Sequence, residues 1–388
     1  MEIIYLGCNG YPFGMAQVER QGLIAKSLVG AGCKVTIINA VGPHDRNKVQ
    51  LKTKGEWNGV DYIYTSGSPY RPTYPLFRKF LKIVGLIGEF TYIFKRGIFS
   101  KIDVAILSTH SFWTLKYYYF LSRILRFKIV PDYVEYSSVL SSSGQVSSKK
   151  LLFFDKYVPV YADYAICISK FLFDKMRIIN PQLSILRIPP VCDIEKIDHI
   201  EDSKGQLPYF LYCGSAFYME VVDFVLEAYN LSDSRGFYLY LIVNGKPHEL
   251  ARLNELVKNH PKTNTIKTYA DLSFAELIKF YKQAAALLIP LRPTIQDEAR
   301  FPHKIGEYTA TGRPVITTNF GEIPAYFRNR HNALIAEKYI PAIFAREMEF
   351  IIDNPEQSES IGKEGRLTCE RFFDYKIYGE KIVELINN

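Results

Sequence analysis

Apolar and polar positions along the chain repeat one order: a short apolar run, a glycine-bearing turn, a helical spacing, and a second apolar run. Residues 3–6 are apolar, the loop 7–14 follows, and residues 18–29 carry a helical pattern that stops at Gly30 and Gly32. The β-branched run Lys34–Asn39 comes next. Such a βαβ order implies a parallel sheet. Residues 104–108, 128–130 and 164–168 continue the series as buried-strand candidates. The order then restarts. Residues 209–213 end at Gly214, a helix is predicted over 221–229, and a strand over 238–243 ends at Asn244-Gly245. Residues 272–283 read as helix, 286–289 as strand and 304–311 as helix before the strand 314–318. Between the two series lies the charged, apolar-poor stretch 189–205. The predicted architecture is α/β, with two Rossmann-like doubly wound parallel-sheet domains facing a central cleft. Their expected bounds are residues 1–195 and 196–370, with 371–388 as a closing helix that crosses back. Ligands of such sheets bind outside the carboxyl ends of the strands.

Composition changes this picture little. The chain has 388 residues, of which 48% are apolar and 23% charged, which fits two globular domains and argues against disorder. Its six cysteines (Cys8, Cys33, Cys167, Cys192, Cys213 and Cys369) include no pair close in sequence. Buried reduced thiols are therefore expected, with no zinc cage and no disulfide framework. No run approaches the ~18 apolar residues of a membrane span, and Met1-Glu2-Ile3-Ile4 has no basic leader, so a cytoplasmic protein is expected.

Charge is more informative. The formal net charge is +8, and residues 71–128 hold eleven basic residues against Glu89 and Asp103 alone. The same window holds fourteen aromatics, including Trp113 and Tyr117-Tyr118-Tyr119-Phe120. Over residues 76–99, apolar side chains recur at helical spacing, fringed by Arg78, Lys79, Lys82, Lys95 and Arg96. Such a fringe suits an anionic membrane surface, and equally suits core helices with solvated basic edges. No nucleic-acid-binding module is present, so no nucleic-acid partner is expected.

The candidate chemistry concentrates in residues 301–324. Phe301-Pro302-His303-Lys304-Ile305-Gly306-Glu307-Tyr308-Thr309-Ala310-Thr311-Gly312-Arg313-Pro314-Val315-Ile316 leads into Thr317-Thr318-Asn319 and Gly321-Glu322-Ile323-Pro324. A helix beginning near His303 projects Lys304 and Glu307 from its first turn, and its start attracts anions. An ordinary amphipathic helix would show the same spacing. The wider series decides between them. The segment resembles the donor-binding part of GT-B glycosyltransferases, especially the large retaining family 4 (glycosyl transferases group 1). Residues 272–290, 161–169 and 188–193 are similar to that family's neighbouring elements, and residues 371–386 look like its closing helix.

The resemblance implies transfer of a hexosyl group from a nucleotide diphosphate sugar to a saccharide, with retention and without a metal or bound cofactor. A lipid-linked acceptor in cell-surface polysaccharide or glycolipid synthesis would place the protein peripherally on the inner face of the cytoplasmic membrane. It implies catalytic roles for His110 and Lys304, and donor contacts from Glu307, Gly214, Ser215, Lys246, Arg300 and Tyr308. It also implies a diphosphate or acceptor loop containing Gly10 and Gly14; that loop lacks the dinucleotide fingerprint. Two departures stand out. Ala299 occupies a position usually held by glutamate, and Ser215 and Glu220 stand where an arginine and a lysine usually meet the diphosphate. A nucleotide-sugar epimerase and a non-catalytic GT-B subunit remain alternatives.

Overall fold

The computed structural model describes residues 1–46, 49–137, 149–201 and 207–388. The end of the predicted linker, residues 202–205, lies outside them. Residues Met1–Val191 and Tyr375–Asn388 form unit 1, and Cys192–Asp374 form unit 2.

The strands of unit 1 are β1 (Glu2–Leu6), β2 (Lys34–Asn39), β3 (Lys54–Trp57), β4 (Val60–Tyr64), β5 (Val104–Leu107), β6 (Lys128–Tyr133), β7 (Tyr164–Cys167) and β8 (Ser184–Arg187). They lie in the order β3-β4-β2-β1-β5-β6-β7-β8. All pair in parallel except β3 with β4. Helices α1 (Ala16–Gly30), α2 (Pro75–Phe99), α3 (Phe112–Leu125), α4 (Lys149–Tyr157) and α5 (Lys170–Ile179) connect them. The inner strands are near-continuous apolar runs because both sheet faces are covered; every residue of β5 is buried. The β3–β4 hairpin, absent from the sequence-based expectation, turns on Asn58 and Gly59. Both have positive φ (52° and 78°), the geometry a two-residue hairpin turn demands.

Two features of unit 1 run against simple polarity. Arg20 of α1 is 1% exposed, and its guanidinium reaches Asp132 of β6 at 3.0 Å and the carbonyls of Ile188 and Pro189 at 3.1 and 2.8 Å. The Tyr5 hydroxyl donates to the same carboxylate at 3.0 Å. Meanwhile α2 lies so close to the sheet that a Cβ on Gly85 would stand 1.8 Å from the Ala40 carbonyl oxygen, and one on Gly88 would stand 2.5 Å from that of Thr65. The Thr65 hydroxyl donates to the Gly85 carbonyl at 2.8 Å. Behind α2, the Tyr118 hydroxyl of α3 donates to buried Glu89 at 2.8 Å.

Unit 2 contains, in chain order, α6 (Ile194–Asp198), β9 (Tyr209–Ser215), α7 (Met219–Leu231), β10 (Tyr238–Asn244), α8 (Pro247–Lys258), β11 (Ile266–Tyr269), α9 (Phe274–Gln283) and β12 (Ala286–Ile289). It continues with α10 (Ile295–Ala299), α11 (Lys304–Ala310), β13 (Val315–Thr318), α12 (Ile323–Tyr326), β14 (Leu334–Ala336), α13 (Pro341–Asp353) and α14 (Pro355–Phe372). Its sheet is parallel throughout, ordered β11-β10-β9-β12-β13-β14. In unit terms this is third, second, first, fourth, fifth, sixth, the Rossmann order, whose strand-order reversal falls between β9 and β12. The sequence from β1 to β8 reverses likewise between β1 and β5. Together the two sheets make the GT-B fold class.

The tail differs from the single closing helix expected over 371–386. α14 ends at Phe372, and α15 (Tyr378–Asn387) begins after a break. The break is an anchor: Phe373 is fully buried, and its carbonyl accepts from the Cys192 N–H at 2.8 Å. α15 then packs on α1, where a Cβ on Gly379 would lie 2.1 Å from the Ser27 carbonyl oxygen. Cys192 and Cys369, 177 residues apart, bring their sulfurs to 3.4 Å, so the thiols include a close pair in space. All six cysteines are free.

Candidate functional site

The site in unit 2 gathers at the carboxyl ends of β9 and β12. α11 is short because Gly312 closes it with φ of 71°. α14 approaches the exit of α11 through a glycine of its own: Gly362 would, with a Cβ, lie 2.3 Å from the Gly312 carbonyl oxygen. Thr309 turns its hydroxyl back onto the Ile305 carbonyl at 2.6 Å. This packing holds α11 with Lys304 and Glu307 half-exposed, and both charges act on Cys213 at the end of β9. Burial pushes the Cys213 thiol up; Lys304 opposes that shift and Glu307 adds to it.

Tyr308 departs from its expected role as a donor contact. Its ring is fully buried, edge-on to Tyr281 at 4.8 Å between centroids, and its hydroxyl accepts from the Cys213 N–H at 3.1 Å. It is a strut that ties α11 to β9. The helix start is also less open than expected, since the Ile305 and Gly306 N–H groups donate to the Pro302 and His303 carbonyls at 3.1 and 3.2 Å. Two of the N–H groups at the helix start are therefore already spent.

Arg300, expected to face the donor, is engaged: it reaches Asp297 at 2.8 Å and the Tyr218 hydroxyl at 2.8 Å. Asp297 also holds Arg292 at 2.7 Å, and Arg292 closes an ion pair with Glu220. Both guanidiniums stand over the Tyr218 ring, at 5.2 Å for Arg292 and 4.6 Å for Arg300. Burial opposes the charge on Asp297, yet the hydrogen bonds from Arg292 and the Arg300 charge outweigh it and hold its carboxyl below the usual range. Glu220, at a position where the resemblance leads one to expect lysine, thus has a cation from the β12 end beside it. Nothing local in the sequence marks Arg292. Ser215 is a cap, accepting from the Phe217 N–H at 3.3 Å. Gly214 is packed under the Tyr212 ring, whose hydroxyl would lie 2.3 Å from a Cβ there. Lys246 stands exposed at the start of α8.

In unit 1, His110 follows β5 at the strand-order reversal. Its Nδ1 lies 3.2 Å from the Ser137 hydroxyl and its ring meets Phe154 edge-on at 5.9 Å. Burial depresses its pKa, and the carboxylates of Glu135, Asp155 and Asp132 offset that only in part, so the ring favours its neutral form. The neighbouring loop from β1 departs from expectation. Gly10 and Tyr11 spend their N–H groups on Asn39, at 2.8 and 3.2 Å, so neither is available to an anion. Gly14 is exposed, and a Cβ there would lie 2.5 Å from that of Val18. Among the described residues no cluster of three or more His, Cys, Asp or Glu is placed to hold a metal.

Of the basic fringe, Lys79, Lys82 and Lys95 are exposed. Arg78 is tied to the Pro72 carbonyl at 2.6 Å, and Arg96 pairs with Glu2 at 2.6 Å with 23% of its side chain exposed. Arg96 is therefore a clamp on β1, and not the free surface cation expected.

Residues 193–368 match the family model of glycosyl transferases group 1, which spans nearly all of unit 2. That unit is similar to the group 1 glycosyltransferase domain over this stretch. The chain is also similar to an uncharacterized glycosyltransferase of Methanocaldococcus jannaschii, with 26% identity over 226 residues. That match covers 58% of this chain and 60% of the relative. Among solved structures, sucrose-phosphate synthase from Thermosynechococcus elongatus superposes with a TM-score of 0.78 at 17% identity, covering 100% of this chain and 98% of that one. Anabaena HepE in complex with UDP-glucose does so with a TM-score of 0.72 at 13% identity, covering 100% and 99%. The segment that matches the family model thus sits in a chain whose whole length follows the GT-B fold.

Proposed function

We propose that the protein transfers a hexosyl group from a nucleotide diphosphate sugar to a saccharide acceptor carried on a lipid. The observation that carries this reading is α11: Glu307 and Lys304 are presented half-exposed beside the end of β9, within the segment that matches group 1 glycosyltransferases. Glu307 accepts hydrogen bonds from the two ribose hydroxyls. Lys304, one helical turn earlier, meets the diphosphate, where negative charge grows as the sugar departs; a cation preorganised at that point lowers the barrier. The bound UDP-glucose of Anabaena HepE supports a nucleotide-sugar donor. His110 contacts the transferred sugar as a neutral hydrogen-bonding partner. Transfer retains the anomeric configuration and uses no resident metal. The protein works peripherally on the inner face of the cytoplasmic membrane, in cell-surface polysaccharide or glycolipid synthesis.

Calorimetric titration with a panel of nucleotide sugars tests this. One donor is expected to bind, and Glu307→Ala to weaken it by about a hundredfold, as the loss of two charge-assisted hydrogen bonds predicts. If no nucleotide or nucleotide sugar binds the wild type, the proposal is wrong.

A further inference from the structure

α2 is 25 residues long, and its outer side is apolar. Leu76, Phe80, Ile83, Ile87, Phe90 and Phe94 recur at spacings of four and three, which places them on one face, and each is between 38% and 80% exposed. Among the described residues nothing covers this stripe. Nor is the helix loosely attached and free to turn it inward. The opposite face is seated on the sheet by Gly85 and Gly88, at separations that admit no side chain, and is pinned through Glu89 to Tyr118. A contiguous apolar surface of this kind marks an interaction site.

Charge selects the occupant. Lys79, Lys82 and Lys95 are exposed along α2, and its single acidic residue, Glu89, is buried on the inner side. A second copy of the chain would set like charges against each other. A bilayer leaflet with anionic headgroups would neutralise them while taking up the apolar stripe. No helix is long and apolar enough to cross a membrane among the described residues. The helix therefore lies along the interface.

We propose that the outer face of α2 inserts in-plane into an anionic leaflet, so that attachment is hydrophobic insertion guided by lysines, and not electrostatic adsorption alone. This deepens the reading of a lipid-linked acceptor and rests on it only for why a membrane is visited.

Sedimentation of the full chain with phosphatidylcholine vesicles, with and without phosphatidylglycerol, at low and high salt, separates the two modes of attachment. The wild type is expected to bind the anionic vesicles and to keep a salt-resistant fraction. The double variant Phe80→Ser/Ile87→Ser is expected to lose that fraction, with binding weakened about a hundredfold, while its thermal melting matches the wild type. Lys79→Ala/Lys82→Ala is expected to weaken low-salt binding by roughly fivefold per lysine and to leave the salt-resistant fraction in place. The proposal falls if the wild type binds no vesicles at low salt, or if the serine variant keeps the salt-resistant fraction. It falls equally if the wild type is a dimer that the serine variant dissociates, since a second copy then covers the stripe. Calorimetry on the same preparations distinguishes the two proposals: vesicle binding without nucleotide binding overturns the donor reading and upholds this one.

Discussion

The two units share a parallel sheet with a strand-order reversal, and both bury charge, yet they place it differently. Unit 1 draws charge inward: Arg20 and Asp132 form a fully buried pair, Glu89 is hidden beneath α2, and the loop N–H groups of Gly10 and Tyr11 are spent on Asn39. Its outside, along α2, is apolar. Unit 2 gathers Arg292, Asp297, Arg300, Lys304 and Glu307 at and beside the ends of β9 and β12, over a conventionally apolar core. The contrast teaches that both units bury an ion pair, Arg20–Asp132 in unit 1 and Arg292–Asp297 in unit 2, and that unit 1 in addition leaves the outer face of α2 apolar and exposed. In unit 1 an internal network ties α1 to β6, while the outer face of α2 stays apolar and exposed.

The sharpest way to break this contrast is Arg20→Met. Removing one partner of a buried pair leaves Asp132 charged in the interior, which costs about 3–5 kcal/mol. Urea unfolding followed by a probe in unit 1 is expected to show that loss; a change below about 1 kcal/mol would mean the network is not what locks the unit.

Glu89 offers the next largest effect. Burial raises its carboxyl from the ordinary 4.5 to about 7, and the Tyr118 hydrogen bond only moderates the shift. Because the folded-state pKa lies above the unfolded one, the native state holds its proton longer. Stability is then full at low pH, declines as pH rises between about 4.5 and 7, and levels off above. Glu89→Gln keeps an acceptor for Tyr118 and removes the ionisation. It is expected to add up to about 3 kcal/mol above neutrality and almost nothing near pH 4. Equal effects at both ends of the range would show that the carboxyl is not held neutral by burial.

The smallest effect tests the one polar group that unit 1 is proposed to spend on chemistry. His110→Ala is expected to lower kcat/KM roughly tenfold, the worth of one good hydrogen bond, without moving the melting temperature. A loss of stability in its place would make His110 another internal support like Asn39.

Much of the fold was readable because it rests on local pattern. Short continuous apolar runs bounded by turn residues, such as Val104–Leu107, fit strands covered on both faces, and Gly312 ahead of Pro314 marks a helix end. The Asn58-Gly59 pair carried its hairpin signal openly, although the alternation around it was weak because β3 is a polar edge strand. The site was half legible. Glu307 and Lys304 could be placed from their spacing within one motif. Arg292 could not, because the Glu220 that it pairs with is 72 residues away, and Arg300 looked free only because Asp297 and Tyr218 were not known to stand beside it.

By itself, then, the sequence determined the order of elements, the two-unit α/β plan and the first turn of α11, all consequences of spacings a few residues long. The tertiary structure decided which way amphipathic faces point and which charges are already paired. The pattern over residues 76–99 is the same whether the apolar stripe faces in or out. Gly85 and Gly88 against the carbonyls of Ala40 and Thr65 settle it, because only a side without side chains can come that close to the sheet.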